Sequence, residues 1–297
     1  MTKGQIRQSL SGYYDVVTTD GIEYRTRARG NFRKKKQTPL VGDRVEFKAQ
    51  KADEGYILEI YPRKNQLVRP PMANLDTAIV VTACIQPDFS SNLLDRQLAM
   101  LEANDVSPVL YFSKYDLLTE EKKAELDPIL NYYAKFYPVY RGGLPARLET
   151  LKTMLAKLHH QVIVVMGQTG AGKSTLLNQL EPTLKLATGE ISKALSRGRH
   201  TTRKVSLLPI GDNLLADTPG FSSFELLEIT KEQLPALFPD LVAYQAECKF
   251  RGCLHINEPK CAVKAAVESG EIMSSRYANY QLFHDMIINQ NIDNGGI

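Results

Sequence analysis

The sequence has no long apolar run. The longest stretches, such as Val162–Met166, reach five residues or so, against the ~20 that a membrane-spanning helix needs. No membrane partner is expected. The N-terminus, Met1-Thr2-Lys3-Gly4-Gln5-Ile6-Arg7, carries charge with no apolar stretch behind it and does not read as a secretory leader. Cysteine is scarce, with four in 297 residues. That is too few for a disulfide scaffold of this size. No internal repeat and no long low-complexity stretch occurs, and 19 Gly and 15 Pro are an ordinary share that excludes a collagen-like chain. These absences point to a cytoplasmic, globular protein.

At 43% hydrophobic and 24% charged, the composition fits packed domains rather than a disordered or coiled-coil chain. The length favours two or three of them at ~100–150 residues each. The charge is uneven. Residues 1–70 hold 15 Lys and Arg against 8 Asp and Glu, a net +7, while the remainder is −3. A basic segment of this kind hints at a polyanionic partner.

Residues 1–70 read as short strands. Gly12-Tyr13-Tyr14-Asp15-Val16-Val17 meets the hairpin dipeptide Asp20-Gly21, and residues 22–29 alternate in the strand period. Residues 44–48 and 55–60 add two more strands, and the spacing predicts a small barrel. From about 75, apolar strands at 78–81, 109–112 and 162–166 alternate with helical stripes, one with Leu94, Leu98 and Leu101 behind an Asn92 cap and one with Leu148, Leu151, Leu155 and Leu158. That alternation predicts a parallel α/β sheet. Residues 204–210 and 214–216 flank Gly211-Asp212-Asn213 as a hairpin. After 225 the pattern is helical, with a tail from Gln290 to Ile297 that is expected to fray.

Gly167-Gln168-Thr169-Gly170-Ala171-Gly172-Lys173-Ser174 fits G-x-x-x-x-G-K-S between a strand and a helix that continues through Thr175. Glycines let successive N–H groups turn around phosphates, Lys173 reaches the β- and γ-phosphates, and Ser174 binds Mg2+. Asp217-Thr218-Pro219-Gly220 follows 44 residues after Lys173. Asp217 can hold Mg2+ through water and Gly220 can offer its N–H to a γ-phosphate. Ser113-Lys114-Tyr115-Asp116 ends a strand and is similar to the [NT]-K-x-D guanine motif, with Ser in the first position. It stands 57 residues before Lys173 rather than after it, the order of a circularly permuted GTPase domain. In residues 197–203, Thr201 or Thr202 could complete a Mg2+ shell, and His200 could orient water or simply be an exposed loop histidine. Phe221 occupies the place where Ras-like enzymes use a water-orienting Gln.

Cys248, Cys253, His255 and Cys261 form C-x4-C-x-H-x5-C, a complete tetrahedral set for one structural zinc. Cys84, alone after an apolar strand, reads as core. Arg29, Arg33, Lys34, Lys35 and Lys36 follow Arg25 and Arg27, with Tyr13, Tyr14, Tyr24 and Phe32 interleaved. The pattern suits an RNA backbone and stacked bases, and it also suits a solvated basic face.

These residues resemble the bacterial small-ribosomal-subunit-dependent GTPase family RsgA (YjeQ/YloQ). The resemblance spans nearly the whole chain. Besides the motifs above, it rests on Arg29-Gly30-Asn31-Phe32-Arg33, on Pro39-Leu40-Val41-Gly42-Asp43-Arg44-Val45 and on Arg63-Lys64-Asn65-Gln66-Leu67-Val68-Arg69-Pro70-Pro71. Gly198-Arg199-His200-Thr201-Thr202 belongs to it as well. It implies a multidomain α/β protein: an N-terminal OB-fold β-barrel over 1–70, a circularly permuted P-loop GTPase over 71–224 and a C-terminal, mainly helical zinc-binding domain over 225–297. It further implies subunit-stimulated GTP hydrolysis in late maturation of the small ribosomal subunit. The implied partners are rRNA, GTP and GDP, with Mg2+ accompanying GTP, and a monomer is expected. Against the family pattern, no S-A-K-like guanine loop is evident near Tyr140-Arg141-Gly142-Gly143. A P-loop ATPase or kinase with an RNA-binding appendage is the competing reading, and Asp116 opposes it. In a third, an RNA-binding factor uses nucleotide only to set its conformation.

Overall fold

Nine residues with one buried apolar side chain, Ile6, open the chain as strand β1 (Thr2–Leu10). So little apolar content leaves no alternation to read, which is why the sequence pattern starts one strand late. The computed structural model describes residues 1–30, 32, 37–51, 54–68, 71–143, 147–180, 205–217 and 229–294. Strands β2 (Tyr13–Thr18), β3 (Glu23–Ala28), β4 (Arg44–Lys51) and β5 (Glu54–Ile60) follow. Their order, β1-β2-β3-β5-β4 with β4 returning to β1, closes a five-stranded barrel. Ile6, Val16, Val45, Phe47 and Ile57 fill it, and Tyr24 packs its ring 5.2 Å from that of Phe47. Tyr14 and Phe32 are buried too, so three of the four aromatics expected on an RNA face belong to the core.

Two of the segments that carry the family resemblance meet at the exit from the barrel. The fully buried carboxylate of Asp43 receives both Nε (2.7 Å) and Nη2 (2.8 Å) of Arg63. Asn65 pairs through both side-chain atoms with the backbone of Leu75 at 2.8 Å. The short strands β6 (Gln66–Leu67) and β7 (Met72–Ala73) carry the chain across.

The α/β layer then alternates: β8 (Thr77–Ala83), α1 (Ser91–Ala103), β9 (Ser107–Ser113), α2 (Glu120–Tyr133), β10 (Val139–Arg141), α3 (Arg147–Leu155), β11 (Val162–Met166), α4 (Lys173–Leu180), β12 (Val205–Ile210) and β13 (Asn213–Asp217). Strands run β10-β9-β8-β11-β13-β12, all parallel except the last. β8, β9 and β11 are buried almost throughout, as expected where helices cover a parallel sheet. β12 also pairs with β1, Gln8 opposite Ser206 and Ser9 opposite Val205, so barrel and α/β layer share one eleven-stranded sheet among the described residues.

Leu94, Leu98 and Leu101 face the core as expected, but the cap of α1 is Ser90, whose hydroxyl accepts from Leu93 N–H, and not Asn92. α3 ends at Leu155, and Leu158 is buried just beyond it. The polar helix α2 and the three-residue β10 carry weak periodicity and are not evident from pattern alone.

The last segment folds as a short 3-10 turn (Leu234–Leu237), α5 (Pro239–Gln245), α6 (Ala262–Glu268) and α7 (Ser274–Asn294). The helix runs to Asn294, and residues 295–297 of the expected tail lie outside the described residues. Phe238, Tyr280, Phe283 and Ile287 pack with Ala99 of α1. Beside them lies a buried polar cluster. Arg276 of α7 donates to Asp95 of α1 (2.6 Å) and to both oxygens of Asp240 of α5 (2.9 and 3.1 Å). Tyr133 and Asn279 complete Asp95, and Tyr132 completes Asp240. No described helix is long and apolar enough to cross a membrane.

Candidate functional site

The parallel strands β9, β8 and β11 lie side by side. Two of the expected motifs therefore emerge at the same carboxyl edge of the sheet, where open α/β sheets bind ligands. Residues 167–172 wrap from β11 into α4. Gly167 has φ +141°, and a Cβ there would sit 2.1 Å from the carbonyl oxygen of Val81. Only glycine lets this loop cross so close to β8. Lys173 Nζ donates to the carbonyls of Gly167 (2.6 Å) and Gln168 (2.8 Å). Burial pulls its pKa down to about 8, so an anion brought to the loop meets a cation that lacks a full counter-charge. Ser174 and Thr175 are half-buried on the first turn of α4.

The 113–116 motif is bound to this loop directly. Ser113 is buried, and its hydroxyl donates to the carbonyl of Ala171 at 2.5 Å. Lys114, in the left-handed region at φ +59°, sends Nζ to the carbonyls of Gly170 (3.0 Å) and Gln86. A serine in the first position thus reaches the phosphate-loop candidate despite its short side chain. Tyr115 donates its hydroxyl to Asp127 at 2.8 Å, and Asp116 stands exposed beside it on the same 3-10 turn (Tyr115–Leu117). Gln86, which pattern reading did not single out, is part of the assembly through its carbonyl, a group that carries no sequence signature.

Asp217 is the final residue of β13, opposite Ser206. Gly220, His200, Thr201 and Thr202 lie outside the described residues, as do Arg33, Lys34, Lys35 and Lys36.

Cys248, Cys253, His255 and Cys261 converge. Their ligand atoms all lie within 4.8 Å of one another, and three of the four residues are buried. Cys248 Sγ is 3.6 Å from His255 Nδ1 and 3.9 Å from Cys261 Sγ. Tyr277 donates to the carbonyl of His255 at 2.6 Å and Tyr280 to that of Leu254, fixing the loop that holds the imidazole. Three thiols and one imidazole closing on a single point are a donor set for a metal ion. Cys84 is buried near the other site, where burial pushes its thiol up to about 12, and it behaves as core.

On the barrel, the register sets Tyr13 opposite Arg27, Arg27 opposite Tyr56 and Tyr56 opposite Lys48. Arg27, Tyr56 and Lys48 are exposed and Tyr13 is half-buried, so aromatic and cationic side chains alternate across four strands. Arg27 lies 4.3 Å above the Tyr13 ring. Arg25, in contrast, is engaged by Asp15 at 2.9 Å. Arg29 is exposed just past the end of β3.

Comparison with known proteins decides the family. The family model described as RsgA GTPase matches residues 60–227, and the RsgA N-terminal domain matches residues 3–57. The chain belongs to the RsgA GTPase family. Among relatives named small ribosomal subunit biogenesis GTPase RsgA, that of Limosilactobacillus reuteri is 58% identical over 98% of both chains. That of Geobacillus kaustophilus is 50% identical over 95% of this chain and 96% of its own. The crystal structure of YloQ, described as a circularly permuted GTPase, superposes with a TM-score of 0.83 at 40% identity, covering 98% of this chain and 96% of its own. YjeQ from Thermotoga maritima gives 0.83 at 31%, covering 97% and 98%. The RsgA assignment accounts for the reversed motif order and for the barrel placed ahead of the GTPase layer.

Proposed function

We propose that this chain hydrolyses GTP to GDP and phosphate and acts in late maturation of the small ribosomal subunit, with nucleotide state controlling its association and release. Support comes chiefly from the tie between Ser113 and Lys114 and the carbonyls of Ala171 and Gly170. It joins the base motif to the phosphate loop although the chain visits them in reverse order. In this reading Gly167, Gln168, Thr169, Gly170, Ala171, Gly172, Lys173, Ser174 and Thr175 bind the phosphates, Gly220 offers its N–H to the γ-phosphate, and Asp217 would hold Mg2+ through water. Ser113, Lys114, Tyr115 and Asp116 form the guanine site. Asp116 accepts from guanine N1 and N2, donors that adenine does not present together. Ser174, Thr201 and Thr202 would hold Mg2+, which when bound supplies positive charge against the phosphates. His200 orients the attacking water, because Phe221 offers no group for that task.

The four cysteine and histidine ligands leave no open position, so the bound metal is one structural zinc per chain. The barrel meets rRNA through Arg29, Arg33, Lys34, Lys35 and Lys36 and through the row Tyr13, Arg27, Tyr56 and Lys48, where rings stack bases and cations face phosphates. The protein works in the cytoplasm as a monomer, divided at about 70 and 224. The test is hydrolysis of GTP and of ATP, titrated with purified small and large subunits. GTP turnover stimulated by the small subunit alone is expected. Equal use of ATP, or equal stimulation by both subunits, would refute the assignment.

A further inference from the structure

The chain lacks an S-A-K-like guanine loop, and the place beside Asp116 is taken by Gly142-Gly143. Neither glycine has a positive φ, so neither is required by a left-handed backbone. The space around them is different. A Cβ on Gly143 would lie 2.5 Å from Asp116 Cβ and 2.8 Å from its Cγ and Oδ1. These are not the far end of a flexible chain, so the whole Asp116 side chain would have to move.

The loop itself cannot retreat. Gly142 N–H donates to Phe112 O at 2.7 Å and Gly142 O accepts from Tyr115 N–H at 3.1 Å, tying the loop to both ends of the 113–116 motif. A Cβ on Gly142 would meet the buried Tyr111 hydroxyl at 2.2 Å. Just before it, Arg141 is fixed by Asp127 at 3.3 Å and by Asn131 at 2.8 Å. With the backbone held on three sides, strain at position 143 passes to the carboxylate.

We propose that Gly143 is a specificity-determining positioning residue, whose missing Cβ lets the Asp116 carboxylate stand where it reads the base. This rests on the assignment of Asp116 to guanine. Any side chain at 143 displaces both carboxylate oxygens together, so it weakens recognition of the guanine N1–H and 2-amino group alike and leaves phosphate binding intact.

The experiment measures GDP, IDP and XDP affinity of the full-length chain, because hypoxanthine lacks the 2-amino group. The parent chain prefers GDP to IDP by about tenfold or more, the worth of one hydrogen bond to a charged group. In Gly143→Ala this preference falls to within about threefold, and IDP affinity also falls, by the smaller amount that its single N1–H contact is worth; general destabilisation would lower both affinities and leave their ratio unchanged. A Gly143→Ala chain with the parent GDP-to-IDP preference overturns the proposal, provided Asp116→Asn loses GDP and gains XDP. If Asp116→Asn leaves GDP affinity unchanged, it is the guanine assignment itself that fails. Should Gly143→Ala not fold, Gly143→Ala/Asp116→Gly decides the matter. Recovery of the fold supports the contact, and a chain that stays unfolded without the Asp116 side chain overturns it.

Discussion

Arg276→Met tests what holds the C-terminal segment to the GTPase layer. Arg276 is 2% exposed, between carboxylates that are 0% and 1% exposed. Burial opposes its charge, yet Asp95 and Asp240 outweigh that and hold the guanidinium pKa well above its usual value. Methionine keeps the aliphatic stem but removes three charge-assisted hydrogen bonds and the stacking over Phe238 at 4.6 Å. Two buried carboxylates then lack a cation, although Tyr133 and Asn279 still serve Asp95 and Tyr132 still serves Asp240. Removing one partner of a buried pair costs about 3–5 kcal/mol. Native-state hydrogen exchange of the α7 amides should therefore lose about two to three and a half decades of protection. The loss has a pH sign. Burial already raises the folded-state pKa of Asp95 against the pull of Arg276, and without that cation it stands further above the unfolded value, so the native state binds more protons. Stability then falls as pH rises through the carboxylate range. The deficit should be larger at pH 8 than at pH 5, and Asp95→Asn in the Arg276→Met background should shrink it. A protection loss below about tenfold at pH 8 would refute the reasoning, because it would leave two unpaired buried carboxylates without consequence.

Lys173, with its pKa near 8, should take up a proton when phosphate binds. GDP affinity is then full below that value and falls as pH rises through it, and calorimetry in two buffers of different ionisation enthalpy should read the proton uptake near pH 8.5. Lys173 mutated to Met should abolish the uptake. Cys253→Ser should lower metal content from one zinc per chain and destabilise residues 239–294 while GDP still binds, as checked by elemental analysis and thermal melting. On the barrel, Arg27→Ala and Lys48→Ala should each flatten the slope of log K against log salt for small-subunit RNA by about 0.7–0.9. Tyr56→Ala should leave the slope unchanged and weaken binding by ~1–3 kcal/mol. Equal slopes for all three variants would move the RNA contact off this row.

Much of the candidate site was legible because its residues act locally. The phosphate loop needs glycines and a lysine at fixed spacing within one strand-to-helix turn. The four metal ligands fall within fourteen residues, 248–261, so their convergence is close to a property of the spacing. Other parts were hidden for physical reasons. Gln86 contributes only a carbonyl. Tyr56 joins Arg27, and Lys48 joins Tyr56, only through strand register, which in the first pair links residues 27 and 56. Tyr14, Tyr24 and Phe32 looked equivalent to Tyr13 in composition; the alternation of faces along β2 and β3 sent Tyr14 and Tyr24 inward, and the turn after β3 buried Phe32.

By itself the sequence determined the candidate chemistry: a glycine-rich loop of the phosphate-binding pattern, a carboxylate in a guanine-type motif, a soft-ligand metal set, a basic barrel segment, and the reversed order that marks a permuted GTPase. These are written in residue type and spacing, which need no distant contact to be read. Tertiary structure alone decided how they are arranged. It brought Ser113 onto Ala171 and Gly143 onto Asp116, and it continued the barrel into the α/β sheet through β1 and β12. It also docked the helices of residues 239–294 on α1, through Arg276 and Asp95 and the apolar faces around Ala99. Contacts between residues 181 positions apart leave no periodicity in the chain, because burial and charge pairing act on whatever surfaces the fold brings together.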